Sequence, residues 1–189
     1  MTDQDQEHEW LQRARRGDPD AVGELYRRYA RAVYRYAFYR LGDPERAEDV
    51  TADVFVRALE ALPRFRERGV PFSAWLYRIA AARVADEFRR RRRRPTQSVP
   101  WELVEGSPSP EEKAEERFTA EQLRRLVGQL PEIQQQVVVL RFVERLSHAE
   151  VARILRRSEG AVRVLQYRAL QTLKRMLTQE QGADGSDTD

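Results

Sequence analysis

Three carboxylates lie close together early in the chain, and their spacing could support metal binding or acid–base chemistry. Glu48, Asp49 and Asp53 include a pair one helical turn apart. Such a cluster could hold a divalent cation and support hydrolysis if histidine or further acids completed the ligand set. The sequence offers no obvious partners, because it has two histidines, His8 and His148, and no cysteine. A solvated helix face or a protein contact is the simpler interpretation, and we predict no metal site, cofactor or catalytic residue.

A second group of candidates lies in a predicted helix-turn-helix at residues 147–170. Ser147-His148-Ala149-Glu150 has the form of a capping box, and Ser158 can cap a second helix after a compact turn. Side chains early in that second helix could reach base edges or phosphates in a major groove. Spacing alone leaves an ordinary helical hairpin with a solvated basic face as the alternative. The candidate DNA-binding residues are Arg156, Arg157, Ser158, Glu159, Ala161, Arg163, Gln166, Tyr167 and Arg168.

Arginines and aromatics define a third group, between the first two. Arg89–Arg94 is a run of six arginines that follows an amphipathic segment. If three or four of them neutralised phosphates, the salt dependence of binding would gain a log–log slope of roughly −3. The loop 64–70 and the aromatics Trp75 and Tyr77 mix rings with cations, a combination that can stack on unpaired bases. A solvated helix end, and a core position for Trp75, are the alternatives.

Helical signals position all of these residues. Asp18-Pro19 and Asp43-Pro44 each place a capping residue before a proline suited to the first turn, and Pro63 should end the second of these helices. A third long helix is predicted from Phe72, and a shorter one near Trp10. The segment 95–110 is rich in Pro, Ser, Gly and acids and is typical of a flexible linker. We predict an all-α protein with two small helical domains, at 1–94 and 118–178, a linker at 95–117 and a disordered acidic tail at 179–189.

Charge is segregated along the chain in a way that favours a polyanionic partner. The formal net charge is +3, but residues 18–100 carry +6, residues 101–121 carry −5, residues 122–178 carry +7 and the last eleven carry −4. Two basic blocks around an acidic connector suggest two surfaces that face one polyanion, although a solubilising surface is an equal alternative. No apolar stretch approaches the roughly 20 residues that a membrane span needs, and no secretory signal is visible. We therefore expect a cytoplasmic protein without a membrane partner.

The ordered set of motifs resembles the extracytoplasmic-function (ECF) sigma factors of RNA polymerase. Region 2 of that family is matched by Leu25-Tyr26-Arg27-Arg28-Tyr29, by Asp43-Pro44-Glu45-Arg46-Ala47-Glu48-Asp49-Val50 and by Phe72-Ser73-Ala74-Trp75-Leu76-Tyr77. Region 4 is matched by Glu150-Val151-Ala152 and by Ser158-Glu159-Gly160-Ala161-Val162-Arg163. Each motif is modest alone, but together they cover about two thirds of the chain in the right order.

The resemblance implies a role for each group of residues. The acidic helix would grip the β′ clamp helices of core RNA polymerase through Glu48, Asp49, Ala52 and Asp53. The last helix would read the −35 promoter element, and the polymerase β flap would be a second contact. A separate anti-sigma protein is an expectation at the level of the family. The residues implied at the −10 element are Arg64, Phe65, Arg66, Trp75, Tyr77, Arg78, Arg83, Arg89 and Arg90.

Two positions depart from the family pattern. Members often have Gln where Ala52 stands and Asn where Ala82 stands. The first puts a polar contact to polymerase in doubt, and the second prevents promoter preference from being carried over. The expected function is promoter-specific initiation with core polymerase. A stand-alone helix-turn-helix regulator of duplex DNA is the alternative, and a hydrolase built on the carboxylate cluster is the least favoured interpretation.

Overall fold

The computed structural model describes residues 3–66, 70–93 and 121–184, and within these ranges the secondary structure is helical, without a strand. This confirms the all-α prediction. Residues 94–120, which contain the predicted linker, lie outside the described residues. The helices are α1 (Asp3–Arg15), α2 (Pro19–Leu41), α3 (Pro44–Ala61), α4 (Phe72–Arg93), α5 (residues 121–129), α6 (Glu132–Val138), α7 (His148–Leu155) and α8 (Glu159–Asp184).

The helix boundaries follow local capping chemistry. The Asp18 carboxylate accepts hydrogen bonds from the backbone N–H groups of Asp20 (3.0 Å) and Ala21 (3.4 Å), and Pro19 occupies the first turn of α2. The helix ends where Gly42 adopts φ 68° and donates its N–H to the Phe38 carbonyl. The predicted α2 start is therefore confirmed.

The same chemistry sets the limits of α3. The Asp43 carboxylate accepts from the Arg46 N–H at 3.1 Å, so this predicted cap is confirmed as well. At the other end, a 3₁₀ turn at Leu62–Arg64 contains Pro63, which cannot donate a helical hydrogen bond. The predicted end of the helix is confirmed.

The helices α1–α4 form a first module around one apolar core. Tyr36, Leu11, Leu76, Val33 and Val54 are each 1% exposed or less. Full burial of a side chain of this size stabilises the fold by about 1.5–3 kcal/mol relative to exposure. This core fixes α3 and α4 side by side, so their outer faces become the surfaces available for partners.

The helices α5–α8 form a second module. Its core contains Leu126, Val137, Leu140, Val151 and Val162, all 1% exposed or less. The apolar run at 137–140, the strongest strand candidate in the sequence, is helical as predicted and leads into a π turn at Val139–Val143. That turn delivers the chain to Ser147, where the helix-turn-helix begins.

Two features extend beyond the sequence prediction. The helix α8 continues to Asp184, so it includes the first six residues of the segment predicted to be disordered. Gln179, Glu180 and Gln181 are good helix formers, which accounts for the extension. The two modules also touch: α4 packs against α7, and α2 packs against the π turn. None of the described helices is long and apolar enough to cross a membrane.

Candidate nucleic-acid interface

The turn between α7 and α8 is built by three capping interactions. Ser147 Oγ accepts from the Glu150 N–H at 3.2 Å, and the Glu150 carboxylate accepts from the Ser147 N–H at 2.7 Å, which completes the capping box. Arg156 adopts the left-handed conformation (φ 53°, ψ 48°) and reverses the chain. Ser158 Oγ then accepts from the Ala161 N–H at 3.2 Å and starts α8. The predicted helix-turn-helix is therefore formed, with α8 as its second helix.

Most of the candidates on this second helix face solvent. Arg163 has a side chain that is 61% exposed and forms an ion pair with Glu159 at 3.4 Å, and Tyr167 is 65% exposed. The turn residues Arg156, Arg157 and Ser158, the N-terminal Glu159 and the later Arg168 are exposed, whereas Ala161 is half-buried. One face of α8 thus carries cationic and aromatic groups that a groove of DNA could meet.

Gln166 differs from its neighbours on α8. Its Oε1 accepts from Arg141 Nε at 3.1 Å and lies 3.0 Å from His148 Nε2. The amide oxygen therefore braces α8 against the π turn and the start of α7. Arg163 and Tyr167 are therefore the more exposed candidates on this helix.

The aromatic candidates of the first module form a packed cluster. Phe65 is 7% exposed, and its ring centroid lies 4.6 Å from that of Trp75 and 5.8 Å from that of Phe72. Arg15 reinforces the position by donating to the Phe65 carbonyl at 2.8 Å. Phe65 is therefore a buried residue that packs beneath Trp75. Trp75 is half-buried and is the more exposed of these rings.

The neighbouring candidates on α4 are in contact with the second module. Tyr77 is 6% exposed and donates its hydroxyl to Glu144 Oε2 at 2.8 Å, while burial and that carboxylate raise the pKa of Tyr77 above its ordinary value. Arg78 donates to the Arg153 carbonyl from Nε at 3.2 Å and also from one terminal nitrogen. A cleft between the modules is lined by five arginines, Arg57, Arg64, Arg78, Arg83 and Arg156, together with Trp75.

The arginines near the end of α4 are partly neutralised within the module. Arg83 lies 2.6 Å from Asp53 and 2.5 Å from Asp86, and Arg89 also pairs with Asp86. Arg90, whose side chain is 77% exposed, lies 3.7 Å from Glu87. Arg66 is exposed and donates to the Pro63 carbonyl at 2.9 Å. Despite these contacts, four of the candidate cations remain exposed: Arg64, Arg66, Arg89 and Arg90.

The carboxylate cluster lies on the outer face of α3. Glu48, Asp49 and Ala52 are exposed, whereas Asp53 is held by Arg83 and by Arg57 at 3.1 Å. Within the described residues, no group of three or more acids, histidines or cysteines is arranged to hold a metal ion.

The acidic face also has an apolar continuation that the sequence reasoning missed. Val56 and Leu59 are 54% and 41% exposed and lie one and two turns beyond Ala52. Val56 stands outside the buried stripe of α3, and that position in the helical repeat was the available signal. An acidic and apolar stripe of this kind suits a protein partner better than a nucleic acid.

Together, the two modules define a class of protein: an all-helical factor with a helix-turn-helix and exposed faces that suit DNA and a protein partner. The family model described as "Sigma-70 region 2" matches residues 25–94, and that described as "Sigma-70, region 4" matches residues 120–173. BldN of Streptomyces coelicolor, an ECF RNA polymerase sigma factor, is 42% identical over 89% of this chain and 65% of its own length. SigD of Mycobacterium tuberculosis, another, is 40% identical over 84% of this chain and 77% of its own. The chain belongs to the ECF RNA polymerase sigma factors, which direct transcription initiation.

Solved structures agree with this assignment. CnrH in complex with the cytosolic domain of CnrY is 26% identical, with a TM-score of 0.71 over 92% of this chain and 97% of that one. RpoE of Bartonella quintana, in complex with the anti-sigma factor NepR, has a TM-score of 0.64 at 20% identity over 82% of this chain and 96% of that one, and it supports the fold alone. Because region 2 accounts for the first module, the stand-alone regulator is not favoured.

Proposed function

We propose that this chain directs promoter-specific initiation with its two modules in separate roles. The first module binds core polymerase and the −10 element, and the second binds the −35 element. Chemistry belongs to the polymerase, so the chain has no catalytic residue and no cofactor of its own. The proposal also includes a cytoplasmic location and the domain boundaries 1–94 and 118–178.

Polymerase binding is assigned to the exposed stripe of α3. Glu48, Asp49 and Ala52 face solvent and continue into Val56 and Leu59. Asp53, tied to Arg57 and Arg83, orients the helix surface instead of offering a free carboxylate. This stripe is proposed to contact the β′ clamp helices, and the second module to contact the β flap.

The exposed face at the start of α8 is the observation that carries the −35 assignment. Arg163 offers a forked donor that matches guanine O6 and N7, and a good bidentate contact is worth about 1–3 kcal/mol of base discrimination. Arg156, Arg157 and Arg168 are exposed, and we assign them to phosphates, which position the protein without reading sequence. Arg66, Trp75 and Arg90 supply the corresponding exposed groups at the −10 element.

A partner that inhibits the chain is also part of the proposal. The structure of CnrH contains a second protein, the cytosolic domain of CnrY. A separate anti-sigma protein would compete for the surfaces of this chain described above.

Transcription in vitro from a pool of genomic fragments, with core polymerase plus this chain, tests the function. We expect discrete start sites that share −10 and −35 sequences. Arg163→Ala should alter base preference in the −35 element and reduce use of the best sites by roughly tenfold, from about 1–3 kcal/mol per bidentate contact. Lys174→Ala is the matched control, because it removes an exposed cation from the same helix about three turns beyond Arg163, outside the candidate DNA-binding residues. Specific binding to duplex DNA without any association with core polymerase would contradict the proposal.

A further inference from the structure

Glu144 is an acid of the second module whose side chain, among the described residues, accepts hydrogen bonds from the first module. Its side chain is 1% exposed. Arg35 donates to both of its oxygens, from Nε at 2.8 Å and from a terminal nitrogen at 2.6 Å, and Tyr77 donates its hydroxyl at 2.8 Å. Arg35 and Tyr77 precede Glu144 by 109 and 67 residues. A bidentate arginine and a tyrosine hydroxyl therefore satisfy both oxygens of this carboxylate from across the junction.

Other contacts across the same junction are also polar. Arg40 and Glu132 lie 3.6 Å apart, and Arg78 donates to the Arg153 carbonyl. Apolar packing adds to these polar contacts, because the buried apolar residues of both modules belong to one cluster. Water can solvate the polar groups once the modules part, so the junction is specific in geometry and able to open.

The junction occupies groups that the proposed function needs for DNA. Tyr77 and Arg78 belong to the −10 surface, and here they are held by Glu144 and Arg153. Arg156, proposed for phosphate contact near the −35 element, lines the same cleft as Trp75 and Arg78. The closed arrangement therefore covers part of one DNA surface with the other module.

Distance leads to the same conclusion. A compact chain of this length has a radius of gyration of about 16 Å, hence a diameter of about 40 Å. Elements about 25 base pairs apart are separated by roughly 85 Å of duplex at 3.4 Å per base pair. The two modules must part before they can reach both elements.

We propose that Glu144, clasped by Arg35 and Tyr77, is a latch that holds the free chain closed and hides part of the −10 surface until the modules separate. The masking of the −10 surface rests on the proposed function, whereas the closed contact between the modules does not. The open state is the one that binds core polymerase and promoter DNA.

Distance measurements on the full chain test the latch directly. The sequence has no cysteine, so Glu45→Cys on α3 and Gln171→Cys on α8 give two unique positions for a fluorescent pair. Glu144→Gln and Arg35→Gln break the clasp from opposite modules and leave the candidate binding surfaces intact. Each should move the population from a short to a long separation, with at least a tenfold fall in the closing constant, because a hydrogen bond to a charged group contributes about 1.5–3 kcal/mol.

A matched control is available within α2. Glu24 pairs with Arg27 at 2.6 Å, the same separation as Arg35 and Glu144, but on one exposed helix surface. Glu24→Gln should leave the distance distribution unchanged. Circular dichroism of all three variants should show wild-type helix content, which separates opening from unfolding.

The functional consequence is measured with a single-stranded oligonucleotide that carries a −10 sequence mapped with core polymerase. Without polymerase, both latch variants should bind it at least threefold more tightly than wild type does. Unchanged distances in both variants would refute the latch, and opening without tighter binding would refute the masking of the −10 surface. With core polymerase, wild type and both variants should initiate equally. If wild type and both latch variants fail to initiate while the variants still open, the proposed function is refuted and the latch is not.

Discussion

The substitution Arg156→Gly should make the second module more stable and its DNA binding weaker. Arg156 adopts φ 53° and ψ 48° at the turn of the helix-turn-helix. For a residue with a Cβ, this left-handed conformation is unfavourable by about 1–2 kcal/mol. Glycine avoids that strain but loses about 0.5–1 kcal/mol through its greater freedom in the unfolded chain. The net expectation is a rise of roughly 0.5–1 kcal/mol in the free energy of unfolding.

The same change removes an exposed cation proposed to contact a phosphate. Loss of one such contact should reduce the log–log salt slope of binding to promoter duplex by about 0.9. Because phosphate contacts carry no sequence information, affinity should fall evenly across −35 variants. Stability and DNA affinity would then move in opposite directions in one variant.

Stability is measured by urea unfolding of the full chain. The salt slope is measured by titrating salt against binding of the full chain to promoter duplex in the presence of core polymerase. Arg145→Gly is the control, because Arg145 has φ 56° and is exposed but lies outside the proposed DNA surface. It should stabilise the chain similarly and leave the salt slope unaltered. If Arg156→Gly destabilises the chain, the strain argument is wrong. If its salt slope equals that of Arg145→Gly, the phosphate contact is wrong.

Two further predictions concern the capping box. Ser147→Ala should lower the free energy of unfolding by about 1 kcal/mol, since it removes the acceptor for the Glu150 N–H, and thermal unfolding against the wild type would measure this. Hydrogen bonds from the Ser147 side chain and backbone hold the pKa of Glu150 below its ordinary 4.5, so this contribution to stability is complete above pH 4.5 and is lost as the pH falls through the lower folded-state value. Unfolding measured between pH 6 and about pH 3 should therefore show a smaller loss of stability for Glu150→Gln than for the wild type, and equal losses would contradict the assignment.

The helices could be predicted because their signals are local. A capping side chain, a proline in the first turn and a glycine after the last turn each act within four residues, so Asp18, Asp43 and Ser147 mark their helices in the sequence itself. The end of α8 was harder to place. The segment after residue 178 has no apolar stripe, and its helix rests on residue propensity alone.

The candidate site was predictable as a set of regions, less so residue by residue. The exposure of Arg163 and Tyr167 follows from the spacing of Val162, Ala169 and Leu173 on the buried side of α8. The engagement of Gln166 does not follow, because its partner Arg141 lies on another element, 25 residues away. Helical spacing places a side chain on a face, but it does not say which neighbouring element that face will meet.

Glu144 is the clearest case of information that local patterns do not carry. In sequence it lies between Val143 and Arg145 at the end of an apolar run and has the character of an ordinary solvent-facing acid. Its burial follows only when the π turn comes against α2 and α4, where Arg35 and Tyr77 both donate to it. The net charges of the two modules argue against such a contact, since both are basic and should repel. A single carboxylate placed between two donors of the opposite module offsets that repulsion locally, and its removal should let the long-range repulsion separate the modules, more strongly at low salt than at high salt.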